Sequence, residues 1–112
     1  MMHTLVELPE YRKQAERLFT EEERADLLTH LAEHPKAGAL IPGTGGVRKL
    51  RWGRGSAGKS GGARVIYYYH SERIPLFLLT AYGKNDQANL SKAERNELAQ
   101  LVDILADYAH GE

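Results

Sequence analysis

Arg48, Lys49 and Arg51 crowd a single short segment, VRKLRW. Arg64 sits at the head of ARVIYYY, and Tyr82 and Lys84 share the segment AYGKND. A guanidinium holds two phosphate oxygens at once, an ammonium clamps or protonates one oxygen, and a phenol donates a hydrogen bond or stacks on a base. No acidic residue stands between Glu33 and Glu72, and that interval carries Lys36, Arg48, Lys49, Arg51, Arg54, Lys59 and Arg64. The chain as a whole is neutral, with 15 basic and 15 acidic residues, so the acids are confined to its two ends. A positive block on an ordered surface attracts a polyanion, and acidic ends limit indiscriminate adhesion.

Residues 53–60 read GRGSAGKS, which satisfies the pattern G-x-x-x-x-G-K-[ST] of a phosphate-cradling loop. That pattern binds nucleotides only where a buried apolar strand leads in and a helix begins at its Lys-Ser. Here the segment leading in is basic, and the segment leading out, GGARVIYYY, continues in a β-pattern. No following apolar strand ends in an aspartate for magnesium. The string therefore reads as a glycine-rich connection whose Arg54 and Lys59 follow a phosphate backbone, not as an ATP site. His30 and His34 are one helical turn apart, a spacing that suits a metal, but no third ligand accompanies them. The chain has no cysteine, which removes disulfides, thiolate metal sites and thiol nucleophiles. No metal or other cofactor is expected.

The elements that must position these residues follow from periodicity. Residues 3–6 predict a short strand. Pro9 marks a helix start, and Ala15, Leu18 and Phe19 give it an apolar side. Thr20 and Glu23 form a capping box for a second helix that runs to about Glu33, where Pro35 stops it. Residues 34–46 form a glycine-rich connection. Period-two alternation then places Val47, Lys49 and Arg51 on one side of a strand and Arg48, Leu50 and Trp52 on the other. Residues 63–69 and 74–81 predict two further strands, the second the most apolar and central. Ser91 and Glu94 form a second capping box, opening a last helix with Leu98, Leu101, Val102, Leu105 and Ala109 on one stripe. The expected architecture is α+β: a twisted, mainly antiparallel sheet with an N-terminal helical hairpin and a C-terminal helix, the helices on one face.

At 112 residues the chain is one ordinary domain, spanning residues 1–112. Its 42% apolar content is that of a globular protein. No apolar run approaches the roughly 18 residues of a membrane span, and the N-terminus lacks the pattern of a secretory signal. A cytoplasmic protein without a membrane partner is the expectation.

The run GTGGVRKLRWGRGSAGKSGGARVIYYY, the hydrophobic strand after it, and AYGKNDQANLSKAERNEL together resemble the HigB branch of the RelE toxin superfamily. The resemblance covers residues 43–98 closely, and the preceding strand and helical hairpin fit in order and length. It implies a compact fold of the RelE, microbial-ribonuclease type. It also implies the toxin of a type II toxin–antitoxin pair, an mRNA interferase that cleaves messenger RNA in the A site of the 70S ribosome. The partner it implies is a HigA-type antitoxin with a helix-turn-helix, through which alone the toxin would meet operator DNA.

Such a cleavage needs a base for the ribose 2′-OH, fixed positive charge for the phosphorane, and an acid for the leaving 5′-oxygen. The resemblance puts Arg64 in the place of a transition-state arginine. It puts Arg48, Lys49 and Arg51 in a basic cluster that serves either chemistry or RNA positioning, with Lys49 and Arg51 on the better-placed face. Lys84 matches a basic position and acts as the acid or as a phosphate clamp. Some relatives carry a catalytic tyrosine beyond that position, whereas QANLSKA has none. Tyr82 then supplies a phenol, a base-stacking surface, or only packing. Arg54 and Lys59 are assigned to RNA or ribosome contact. A module that binds RNA or the ribosome without cutting is the competing function.

Overall fold

The structure is a computed structural model that describes residues 2–53 and 62–110, with side chains through residue 107. Arg54 and Lys59, with all of GRGSAGKS after Gly53, lie outside the described residues. The elements run β1 (Leu5–Glu7), α1 (Pro9–Leu18), α2 (Glu21–Glu33), β2 (Ala39–Leu40), β3 (Val47–Trp52), β4 (Ala63–Tyr68), β5 (Leu76–Gly83) and α3 (Lys92–His110).

Helix α1 starts with Pro9 at a position whose missing N–H costs nothing. Its buried residues, Tyr11, Ala15 and Leu18, recur at helical spacing. Helix α2 begins at the expected capping box. Thr20 Oγ1 accepts from the Glu23 amide at 3.1 Å, and Glu23 Oε1 accepts from the Thr20 amide at 2.9 Å. Leu27 and Leu31, four residues apart and fully buried, fasten α2 to the sheet. Burying a side chain of that size contributes about 1.5–3 kcal/mol.

The described strands form one five-stranded sheet in the order β1-β5-β4-β3-β2. Strands β3, β4 and β5 are an antiparallel meander, as the sequence predicts, and β1 joins parallel to β5 across the hairpin. β5 is interior, although the central position belongs to β4. Strand β2 was hidden within the glycine-rich connection. Two residues flanked by glycines and a proline carry no periodic signal, and β2 exists by pairing Ala39 with Lys49 and Leu40 with Arg48. A tight turn leads from β2 to β3. Thr44 Oγ1 donates to Ile41 O at 2.6 Å and accepts from the Val47 amide at 3.1 Å. In that turn Gly46 takes a φ of 123°, where a side chain would be strained, and a Cβ there would lie 3.1 Å from Tyr68.

One expectation is corrected. The helices do not share a face: α1 and α2 cover one side of the sheet and α3 the other. Two separate cores result. Val65, Tyr67 and Leu78 pack with Tyr11, Leu27 and Leu31, whereas Ile66, Tyr68 and Phe77 pack with Val102 and Leu105 of α3. The cause is legible in the inner strands. Both ARVIYY and LFLLTAYG are apolar at nearly every position, the pattern of strands buried on two sides.

A β-bulge interrupts β5. Ile66 pairs with Thr80 but its neighbour Tyr67 pairs with Leu78, so Leu79 is an extra residue opposite β4. Up to Leu78 the even-numbered residues Leu76 and Leu78 face the helical hairpin. Beyond the bulge the odd-numbered Ala81 does so, and Tyr82 faces α3.

Candidate functional site

The α3 side of the sheet carries the cations. Arg51 pairs with Arg64 across β3 and β4, and Arg64 pairs with Tyr82 across β4 and β5, so these three residues form one row. Lys49 lies one pleat further along the same face, opposite Ile66. Like charges set opposite each other in adjacent strands destabilise a sheet unless something neutralises them. Among the described residues neither arginine forms an ion pair; the two pairs present are Arg17–Asp86 and Arg24–Glu7, both elsewhere. Among the described residues the Arg64 guanidinium makes one long contact, 3.4 Å to the carbonyl of Ala63. Among the described residues the row therefore carries uncompensated positive charge.

Tyr82 is the floor of this face. It is 5% exposed, and its hydroxyl is buried without a hydrogen-bond partner. Burial pushes its pKa up, nearby Arg64 opposes that rise, and Glu94 adds to it. The phenol is thus neutral at physiological pH, which suits donation of a hydrogen bond and does not suit a general base. Lys84 follows the end of β5 and is exposed. Its amide donates to Gly62 O at 3.2 Å, which places it beside the start of β4.

Arg48 goes elsewhere. It stands on the hairpin side of β3, and its Nη1 donates to Gly38 O at 2.7 Å and Lys36 O at 3.3 Å. Next to it the Tyr67 hydroxyl accepts from the Gly38 amide at 2.8 Å and donates to Pro35 O at 2.9 Å. A Cβ on Gly38 would lie 2.9 Å from both Lys49 O and the Tyr67 ring. Arg48, Tyr67 and Gly38 together brace the chain leading into β2, which makes Arg48 a scaffold residue by geometry and not part of the cationic face. Trp52, on the same side, donates from Nε1 to Glu23 O at 3.1 Å and is half-buried against the first core.

The fold adds residues that the strand pattern did not single out. A cleft of about 460 Å³ opens between the β2 edge and the start of α3, and Lys49, Tyr82, Asn89 and Arg95 line it. Glu94 Oε1 accepts from the Ser91 amide at 2.8 Å and from Gln87 Nε2 at 3.1 Å, and these bonds hold its pKa below the ordinary value. The Ser91–Glu94 box thereby fixes where Arg95 emerges. No spacing in the sequence brings Arg95 next to Lys49; only α3 crossing the second face does so. The paired histidines 30 and 34 sit 5.2 Å apart by ring centroids, with His30 also against Trp52. Among the described residues no group of three or more His, Cys, Asp or Glu could hold a metal, and no helix is long and apolar enough to cross a membrane.

A helical hairpin and a terminal helix flanking a meander sheet, with two arginines on the sheet that form no ion pair among the described residues, define a small α+β protein with a cationic face. The family model described as the RelE toxin of the RelE/RelB toxin–antitoxin system matches residues 16–112. The chain belongs to the RelE toxin family. The fold is shared with a solved structure of the E. coli toxin RelE, a double arginine variant in the free state. That match has a TM-score of 0.56 and 19% identity over 79% of this chain and 90% of the other. Membership of a toxin–antitoxin family implies an antitoxin partner.

Proposed function

We propose that this chain is a HigB-type mRNA interferase: a ribosome-dependent endoribonuclease that cuts messenger RNA in the 70S A site without a metal. The observation that carries this reading is the Arg51–Arg64 pair, two cations side by side on neighbouring strands with no acid among the described residues to neutralise them. In the proposed reaction the ribose 2′-oxygen attacks the adjacent phosphorus and passes its proton to solvent water. Arg64 holds two non-bridging oxygens as negative charge builds on the phosphorane. Arg51 and Lys49 neutralise the flanking backbone. The bond to the 5′-oxygen breaks, and Lys84 protonates that leaving group, giving a 2′,3′-cyclic phosphate and a 5′-hydroxyl. Tyr82 takes part as a neutral phenol beneath Arg64. Arg54 and Lys59, outside the described residues, are assigned to contact with RNA or the ribosome. The antitoxin of this reading is HigA-type and carries the operator-binding helix-turn-helix, and the setting is the cytoplasm.

A second reading, a module that binds RNA or the ribosome without cutting, draws on the same face and on the unsuitability of Tyr82 as a base. Brief induction of the wild type and of Arg64→Ala, with mapping of cellular mRNA 5′ ends, separates the two. New ends clustered in one phase of the reading frame, present only with the wild type, support cleavage. Translation arrested equally by both proteins, with no new ends, supports the binding module.

A further inference from the structure

We propose that the cleft between β2 and the start of α3 is a subsite for one nucleotide of single-stranded RNA, adjoining the phosphate that Arg64 holds. In it Arg95 and Lys49 clamp the phosphate and Asn89 reads the base edge. This deepens the interferase reading and rests on it. Three observations support the assignment. The cleft volume, about 460 Å³, lies in the range of small-molecule sites. Its two charged lining residues, Lys49 from β3 and Arg95 from α3, are both positive, and no acid lines it. Tyr82 is shared, forming part of the cleft wall and pairing with Arg64 in the sheet, so a chain in the cleft continues directly onto the arginine row.

The walls suit a base. Leu40 is 60% exposed at the sheet edge, and Pro42 two residues on is exposed as well, giving an apolar surface at the cleft mouth. An apolar wall beside a side-chain amide is how unpaired RNA bases are held: the ring packs on the wall, and the amide donates to or accepts from the exposed edge. Arg95 is exposed on the first turns of α3 and makes no side-chain hydrogen bond or ion pair among the described residues. Its guanidinium is therefore available, and its removal leaves the fold intact.

The test is single-turnover cleavage of mRNAs on programmed ribosomes, the mRNAs differing in one nucleotide beside the scissile bond. Arg95→Ala should raise the concentration for half-maximal cleavage by about 10-fold, the loss of one charge-assisted contact. It should also flatten the log–log salt dependence by about 0.7, one phosphate's worth on a single strand. Arg95→Lys should restore the salt slope. Asn89→Ala should leave that slope alone and compress the preference among the four nucleotides by about 10-fold. Unchanged concentration, slope and preference in both alanine variants overturn the subsite even if the wild type cuts and Arg64→Ala does not. If the wild type cuts nothing, the interferase reading fails instead. Anisotropy of a fluorescent 2′-O-methyl RNA then decides the subsite: weaker binding by Arg95→Ala supports it, and no binding by the wild type, or equal binding by both, refutes it.

Discussion

Arg48 and Arg51 lie on one strand, three positions apart, yet their replacement should damage different properties. The comparison is best made in an Arg64→Ala background, which permits expression of a toxin. Arg48 Nη1 donates to Gly38 O at 2.7 Å in a half-buried setting and to Lys36 O at 3.3 Å near solvent. A hydrogen bond from a charged donor contributes about 1.5–3 kcal/mol, and the long exposed contact adds little, so Arg48→Ala should cost about 2 kcal/mol. For a domain near this size that lowers Tm by about 8 °C. Arg51 is exposed and has no bond of this kind, so Arg51→Ala should stay within about 0.5 kcal/mol of its parent. RNA binding should show the reverse. Anisotropy with single-stranded RNA across a salt series should lose about 0.7 of its log–log slope in Arg51→Ala and none in Arg48→Ala. An Arg48→Ala protein that melts with its parent while losing RNA affinity would refute the assignment of faces. So would an Arg51→Ala protein that melts several degrees early.

Tyr82→Phe should reduce cleavage by less than about 10-fold and leave the shape of the pH profile unchanged, whereas loss of a phenolate base would cost about 10²–10⁴-fold. Tyr67→Phe strips partners from the Gly38 amide and the Pro35 carbonyl and should cost about 1–3 kcal/mol in urea unfolding. The same exchange at Tyr11, whose buried hydroxyl has no partner, should leave stability equal or higher. Glu94 has a folded pKa below its ordinary 4.5, so its contribution is fully present above 4.5 and is lost as pH falls through the lower folded value. Glu94→Gln should accordingly lose stability at neutral pH and show a shallower decline in acid unfolding.

Much of the scaffold could be read from the chain because its signals are local. Both capping boxes, the hairpin helices and the meander strands follow from neighbouring residues. The split between Arg48 and its neighbours Lys49 and Arg51 follows from the strand's period of two. What escaped reading depends on distant partners. Strand β2 is a strand only because β3 lies beside it, and the second helical layer appears only once α3 crosses the sheet. Arg95 joins Lys49 by that same crossing. Tyr82 shows the limit most clearly: its residue type advertised phenol chemistry, while its burial, set by residues far along the chain, keeps the phenol neutral.

The bulge at Leu79 makes the site a matter of parity. Between Leu76 and Tyr82 an odd number of residues stands where uninterrupted alternation would put both on the same side, and the one extra residue sends them to opposite sides. Deleting Leu79 itself would close the bulge and leave Leu78 and Tyr82 on their present sides, whereas straightening β5 with all its residues kept would turn Tyr82 into the hairpin core and remove the floor of the cationic face. Length changes in the connection between β3 and β4, or in residues 84–91, shift no such count. Relatives that keep this face should therefore vary freely in those connections and carry β5 either with this bulge or one residue shorter without it.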